Sequence, residues 1–406
     1  MKIFKFMTLA LVAMLGFSSC SEDCNHEFIE VDYSKDLVGT WTCFTANYAE
    51  ALVIKADGSV VSTGVENGEY WDGVKGSIKT TNNKMTLLFE DNDNYEGRFE
   101  MICGEAFTIF DENGKHLTYR YCANDLADEI VGMWVCTEDV YGKDKSIAIT
   151  TYNENGKSYL TGFSPEVNGF VKQEELDYKV VGNLNIPSLK GDANSPTLYF
   201  PIKFDIVPNG TELGDIMTTY DLTNGTSATF LRVKQSLDLA GQKYDYIKTY
   251  VSNVKGEDKD IDFMGYTFNF AKMDGSGLDK MLKALLFAVE FPDANTLGYS
   301  YQMNGNKETY NSPIVVEGNT MTIKMSNKVA TLKDVVLYAF QDADCSQMHF
   351  YMYKTAFVNF YTNMQAMLME ATDEQFDINN AEAVNAIYNE INNAVETINV
   401  SLVMSK

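Results

Sequence analysis

The segment Leu37-Val38-Gly39-Thr40-Trp41-Thr42-Cys43 returns as Ile130-Val131-Gly132-Met133-Trp134-Val135-Cys136, 93 residues further along the chain. Self-similarity at that distance marks duplicated domains, since solenoid repeats recur every ~20–50 residues. Each copy must therefore bury a core of its own. Both openings lead into a strand and then a tight-turn dipeptide, Asp57-Gly58 after ALVIKA and Asn155-Gly156 after IAITTYNE. Such pairs supply the positive φ angles of two-residue hairpins.

A more diverged third copy opens at Asp238-Leu239-Ala240-Gly241, with Tyr244 as its aromatic and Lys272-Met273-Asp274-Gly275-Ser276 as its expected turn. Later strands recur as KMTLLFE, PTLYFPIKF and TMTIKMS, and each copy has a closing hairpin: FTIFDENGKHLTYRY, MTTYDLTNGTSATFLRV and VVLYAFQDADCSQMHFYMYK. Apolar and polar residues alternate between Gly, Asn and Asp, which indicates antiparallel sheet. Closing a meander into a barrel removes its exposed edges. The fold class expected is mainly β: tandem antiparallel barrels, the third unit α+β.

The chain has three arginines, Arg98, Arg120 and Arg232, and the last two fall near the ends of copies. A guanidinium over an indole face gains about 0.5–2 kcal/mol, so Arg120 is paired here with Trp41 and Arg232 with Trp134. A Gly-x-Trp on the first strand with an Arg near the last resembles the pattern of lipocalins. The chain resembles the lipocalin-like lipoproteins of Bacteroidetes, a group without an assigned function. The resemblance implies that Gly39, Trp41 and Arg120 close the first barrel and Gly132, Trp134 and Arg232 the second. In the third copy, which has neither Trp nor Arg at these places, it implies topology alone.

In the third unit, GLDKMLKALLFAVEF carries Leu278, Met281, Leu282, Leu285, Leu286 and Val289 at helical spacing, which predicts an inserted helix. A second stripe follows the closing hairpin (Phe357, Phe360, Tyr361, Met364, Met367, Leu368), and a third runs through Val384, Ile387, Tyr388, Ile391 and Ala394. Alternation from Ile398 to Met404 then predicts a last strand. Met-rich helices at a barrel either pack as core or lid a pocket for an apolar ligand.

At the other end, MKIFKFMTLALVAMLGFSSC places Lys2 and Lys5 before an apolar run that stops at Ser18-Ser19-Cys20. The run falls short of the ~20 residues of a spanning helix and reads as a targeting segment. It resembles a lipobox, with Phe17 and Ser19 as departures, so cleavage before Cys20 and acylation of Cys20 to outer-membrane lipid are expected. Ser21-Glu22-Asp23 resembles a surface-export tag; the alternative is a plain acidic tether. The domains are then 1–19 signal peptide, 20–35 tether, 36–125 first barrel, 126–236 second barrel, and 237–406 diverged α+β unit. The location expected is the cell envelope, lipid-anchored in the outer membrane.

A net charge of −25 with scattered Lys and Arg argues against nucleic acid as a partner. Six cysteines remain after Cys20 (Cys24, Cys43, Cys103, Cys122, Cys136, Cys345), and Cys43 and Cys136 at matching positions read as small buried apolar residues. The three histidines, His26, His116 and His349, lie far apart, and no zinc, nucleophile-elbow, phosphate-loop or dinucleotide motif is present. No cofactor or metal is assigned. The acidic run Glu90–Gly97 reads as a solvated hairpin tip, with Ca²⁺ as the alternative.

Trp71, the one Trp outside the openings, is placed in a Gly-rich turn as a candidate ligand contact for a sugar face. The function expected is non-enzymatic binding of a small apolar ligand or glycan through a barrel or the third unit. The rivals are a structural or adhesive surface protein with the barrels as spacers, and a hydrolase.

Overall fold

A computed structural model describes residues 35–406, apart from 82, 92–93, 103, 112, 137–147, 165–168, 192–194, 212–213, 264–265, 274, 304–305, 343 and 374. The signal peptide, Cys20, and the tether up to residue 34 with Cys24 and His26, lie outside the described residues, as do Cys103 and Asp274. The chain is mainly β, with three antiparallel eight-stranded barrels and, among the described residues, three α-helices. It divides into two compact units, one ending at Asp125 and taking in Val181–Leu184, the other formed by Leu126–Val180 and Asn185–Lys406.

The first barrel is an uninterrupted meander from Gly39–Phe44 to His116–Cys122, closed where those two strands pair. Its turns follow the sequence signals: Gly58, at φ +79°, joins Tyr48–Ile54 to Ser59–Glu66. Alternation directs Trp41, Leu52, Ile54, Met85, Leu87, Phe99, Phe107 and Tyr119 into one core.

The second barrel repeats the meander from Gly132–Cys136 to Ser227–Val233. Pairing of Gly169–Val181 with Leu184–Leu189 completes its ring of eight, and the two-residue strand Leu198–Tyr199 is appended to the sheet. Trp134, Tyr152, Phe204, Ile206 and Met217 fill it.

The third barrel opens with Gln242–Gly256 and closes with Val395–Ser405, which pairs with both Gln242–Gly256 and Gln347–Tyr353. Between its first and second strands lie a small hairpin, Asp260–Phe263 with Tyr266–Asn269, and helix α1 (Ser276–Leu285). Lys272–Ser276 is therefore not a barrel hairpin; Gly275 caps α1 at φ +84°. The inserted helix is also shorter than its apolar spacing suggests. Leu286 and Val289 belong to the strand Leu286–Asp293, because the run Phe287-Ala288-Val289-Glu290-Phe291 carries strand-forming residues that pair with Gln242–Gly256 and Thr296–Met303. Helices α2 (Lys354–Thr372) and α3 (Ala381–Ala394) follow the strand Gln347–Tyr353, α3 capped by the Asn380 side chain on two backbone amides.

The second and third barrels share an apolar contact. Val135, Ile149, Leu231 and Val233 meet Tyr338, Phe340, Tyr351 and Tyr353. The contact continues in a hydrogen bond from the Lys234 amide to the Gln341 carbonyl, 2.8 Å.

Candidate functional site

The aromatic of each opening strand occupies the same place in all three barrels. Trp41 and Trp134 are fully buried, and each indole N–H donates to a carbonyl four residues upstream, Leu37 at 2.8 Å and Ile130 at 2.7 Å. In the second barrel Arg232 lies directly opposite Trp134 in register, its guanidinium 4.3 Å from the ring centroid. Arg232 also donates to the carbonyls of Val131, at 2.9 Å, and Glu129, and pairs with Asp215 at 3.1 Å. Burial lowers the Arg232 pKa, against the opposing pull of the nearby Asp215 and Glu129 carboxylates.

The first barrel departs from the expected pairing. Opposite Trp41 stands Tyr121, and Arg120 is its neighbour, opposite Thr42 and exposed. Because successive strand residues face opposite ways, one position of offset removes Arg120 from the indole. Tyr121 and Phe107 pack edge-on to Trp41 instead, at 5.2 and 5.1 Å. In the third barrel Lys406, one residue beyond the Asp245–Ser405 pair, lies 5.9 Å over Tyr244. Gly39 and Gly132 both hold φ +134°, and a Cβ on Gly39 would lie 2.6 Å from the Tyr121 ring.

One cavity lies in the first barrel and one in the third. The first barrel contains one of about 640 Å³, lined on its inner strand faces by Tyr48, Glu50, Ser62, Trp71, Leu87, Phe89, Tyr95, Ile109 and Tyr119, with Asn47, Glu66, Asn67, Asp91, Asn94, Lys115 and His116 among its further lining residues. Trp71 is on a strand, Glu69–Thr81, and not in a turn. It sits opposite Gly64, where a Cβ would fall 2.4 Å from the indole, so the missing side chain lets the ring lie against the neighbouring strand. Its N–H donates to Ser62 Oγ at 2.6 Å, which fixes the ring's rotation.

Glu50, 5 % exposed, lines the same cavity and reaches Trp71 through Ser62. Ser62 Oγ donates to its Oε1 at 2.5 Å, Tyr48 Oη to Oε2 at 2.5 Å, and Tyr119 Oη also to Oε2. Burial, followed by the charge on Glu50, raises the pKa of both Tyr48 and Tyr119 and pushes the Cys43 thiol up to about 12. Both tyrosines therefore remain hydroxyl donors at neutral pH. Nothing in the motifs pointed to Glu50; its one signal is a charged residue in the inward phase Tyr48, Glu50, Leu52, Ile54 of an otherwise apolar strand.

The second cavity, about 130 Å³ in the third barrel, is almost wholly apolar. Strand residues Val289, Leu297, Leu337, Phe350 and Leu402 form its wall, α1 brings Met281, Leu282 and Leu285, and α2 brings Phe360, Asn363, Met364 and Met367. Met325, Met352 and Met404 bring the methionines to six. Both helices are fastened. Asp279 of α1 accepts from Tyr246 Oη and the Thr249 amide, and Asn363 of α2 exchanges two hydrogen bonds with the Lys333 backbone. Cys43 and Cys345 carry free thiols.

No family model and no curated protein sequence matches the chain. Among solved structures it is similar to the vaccine antigen Transferrin Binding Protein B of Haemophilus parasuis, in a double-mutant form, at 11% identity and a TM-score of 0.24. The match covers 88% of this chain and 65% of that one.

Proposed function

We propose that the chain is a non-enzymatic, small-molecule-binding lipoprotein of the cell envelope, with lipocalin-like barrels, anchored through acylated Cys20. The observation that carries the reading is the first barrel's cavity, about 640 Å³, within the ~300–1,000 Å³ range of small-molecule pockets. It combines aromatic faces with a few placed polar groups, the combination that gives a pocket both affinity and orientation. Trp71 is the principal contact: its ring is held by Gly64 and Ser62 before any ligand arrives, so little ordering cost remains at binding.

The third barrel supplies a second, apolar site. Its cavity is comparable to the ~150 Å³ engineered cavity that stays dry and takes benzene, and methionine walls adapt to the shape they enclose.

Native mass spectrometry of the full chain purified from its own cells tests this. A small molecule should co-purify, and Trp71→Ala should release it. Acyl mass on Cys20, lost together with membrane association in Cys20→Ser, tests the anchor. Protein that is repeatedly empty and fails to take up any member of a small-molecule library would refute the binding role and leave the adhesive or spacer reading.

A further inference from the structure

We propose that the first barrel selects small organic cations of the ammonium type, held against the Tyr48 and Trp71 rings above the Glu50 carboxylate. This rests on reading the first barrel as a binding cup and names the chemistry the cup takes.

Three observations lead there. Glu50 is 5 % exposed in the lining of a cavity, where its hydrogen-bond neighbours are the hydroxyls of Tyr48, Ser62 and Tyr119. Burying a carboxylate carries a heavy desolvation cost that an amide or apolar residue would avoid, and the Ser62, Tyr48 and Tyr119 hydroxyls that donate to Glu50 offset it by holding the group in the cavity lining. The lining balance has the same sign: Glu50, Glu66 and Asp91 against the single lysine, Lys115. In a cavity with low-dielectric walls such an excess focuses a negative potential inward, which disfavours anionic ligands.

The third observation is the aromatic geometry. The Tyr48 and Trp71 rings, their centroids 6.0 Å apart and their planes tilted at 43°, both line this cavity. Ring faces carry negative potential and attract ammonium groups, most strongly where the site is desolvated. Glu50 fixes one side by accepting the Tyr48 hydroxyl, and through Ser62 it fixes the Trp71 indole as well. The carboxylate thus supplies both the field and the positions of the rings.

The test titrates the full chain with n-butylammonium, tetramethylammonium, methyl glucoside and butyrate, read by indole fluorescence and by NMR. Both ammonium probes should bind, and their ratio separates a primary amine from a quaternary one as the preferred form. Methyl glucoside and butyrate should not bind. Glu50→Gln should weaken the ammonium probes about tenfold or more, a loss of about 1.4 kcal/mol or more. Raising salt from about 10 mM to 150 mM, which shortens the Debye length from about 30 to 8 Å, should weaken binding further. If Glu50→Gln does not fold, Trp71→Leu reads the same prediction from the ring side.

Methyl glucoside binding that ignores Glu50→Gln would overturn the cation assignment and leave the cup a binding site. Butyrate preferred over the ammonium probes would overturn it likewise. A cup that takes no probe and co-purifies with nothing would overturn both readings.

Discussion

Replacing Arg232 by alanine is expected to destabilise the second barrel by about 3 kcal/mol, whereas Arg120→Ala should change the first by less than about 0.5 kcal/mol, as for most exposed positions. The difference is worked from what each guanidinium touches. Arg232 lies 4.3 Å over Trp134, worth about 0.5–2 kcal/mol. It also donates to the carbonyls of Val131 and Glu129, about 1 kcal/mol net for each bond. The Asp215 pair, at side-chain exposures of 21% and 25%, adds at most about 1 kcal/mol. Arg120 stands opposite Thr42, is exposed, and has no such partners among the described residues.

Urea titration in a Trp41→Phe, Trp71→Phe background leaves Trp134 as the only indole and so reports the second barrel alone. With a slope of about 1–3 kcal/mol/M, Arg232→Ala should lower the midpoint by roughly 1 M or more. Arg232→Lys should recover less than half of the loss, since an ammonium cannot serve two carbonyls and a ring in the guanidinium's planar fork. Equal, small shifts for Arg232→Ala and Arg120→Ala would refute the idea that the cation closes the second barrel.

Gly39→Ala places a Cβ at φ +134° and 2.6 Å from the Tyr121 ring. It should cost about 1–3 kcal/mol and lower the first barrel's calorimetric midpoint by several degrees. Cys43, pushed up to about 12 from 9.0, should stay silent to a thiol reagent at pH 8 in the native protein and react once urea unfolds the barrel. Because its folded pKa is raised, its stabilising contribution is present below pH 9 and lost between pH 9 and 12; the urea midpoint of the first barrel should fall across that window. Leu337→Trp, directed into the 130 Å³ cavity, should exclude apolar probes from the third barrel while leaving binding in the first unchanged. Retained apolar binding would move that site elsewhere.

The architecture was legible because barrel closure repeats its signals. Gly-x-Trp, the Asp-Gly and Asn-Gly turns and two-residue alternation each recur, and each reports a local requirement: a positive φ, a tight turn, an inward side chain. The helices of the third unit were legible as apolar stripes, but the boundary of α1 was not. Leu286 and Val289 continue its helical spacing while also fitting the two-residue period of Leu286–Asp293, and only the pairing partners on either side decide between them.

The Arg120 pairing failed for a subtler reason. Tyr119-Arg120-Tyr121 and Leu231-Arg232-Val233 look equivalent along the chain, yet Trp41 pairs with Tyr121 where Trp134 pairs with Arg232. Register between strands some 80–100 residues apart is set by turns and bulges distributed over the whole meander, and a one-residue difference reverses which side chain meets the indole. A residue can therefore sit at the right distance in sequence and on the wrong face.

The same alternation that misplaced Arg120 shows what a sequence reader should seek in such barrels. The proposed site has few motifs, because its groups come from neighbouring strands: Tyr48 and Glu50 from one, Ser62 from the next, Trp71 from the one after, and Tyr119 from the last. What survives in sequence is a violation of pattern, a charge in the inward phase of an apolar strand. Glu50 is such a violation in YAEALVI. The second barrel's counterpart strand, AITTYN, has no carboxylate in either phase. Under the proposed binding role, the inward phase of the strands, rather than the loops, is where the binding chemistry of the first barrel is written.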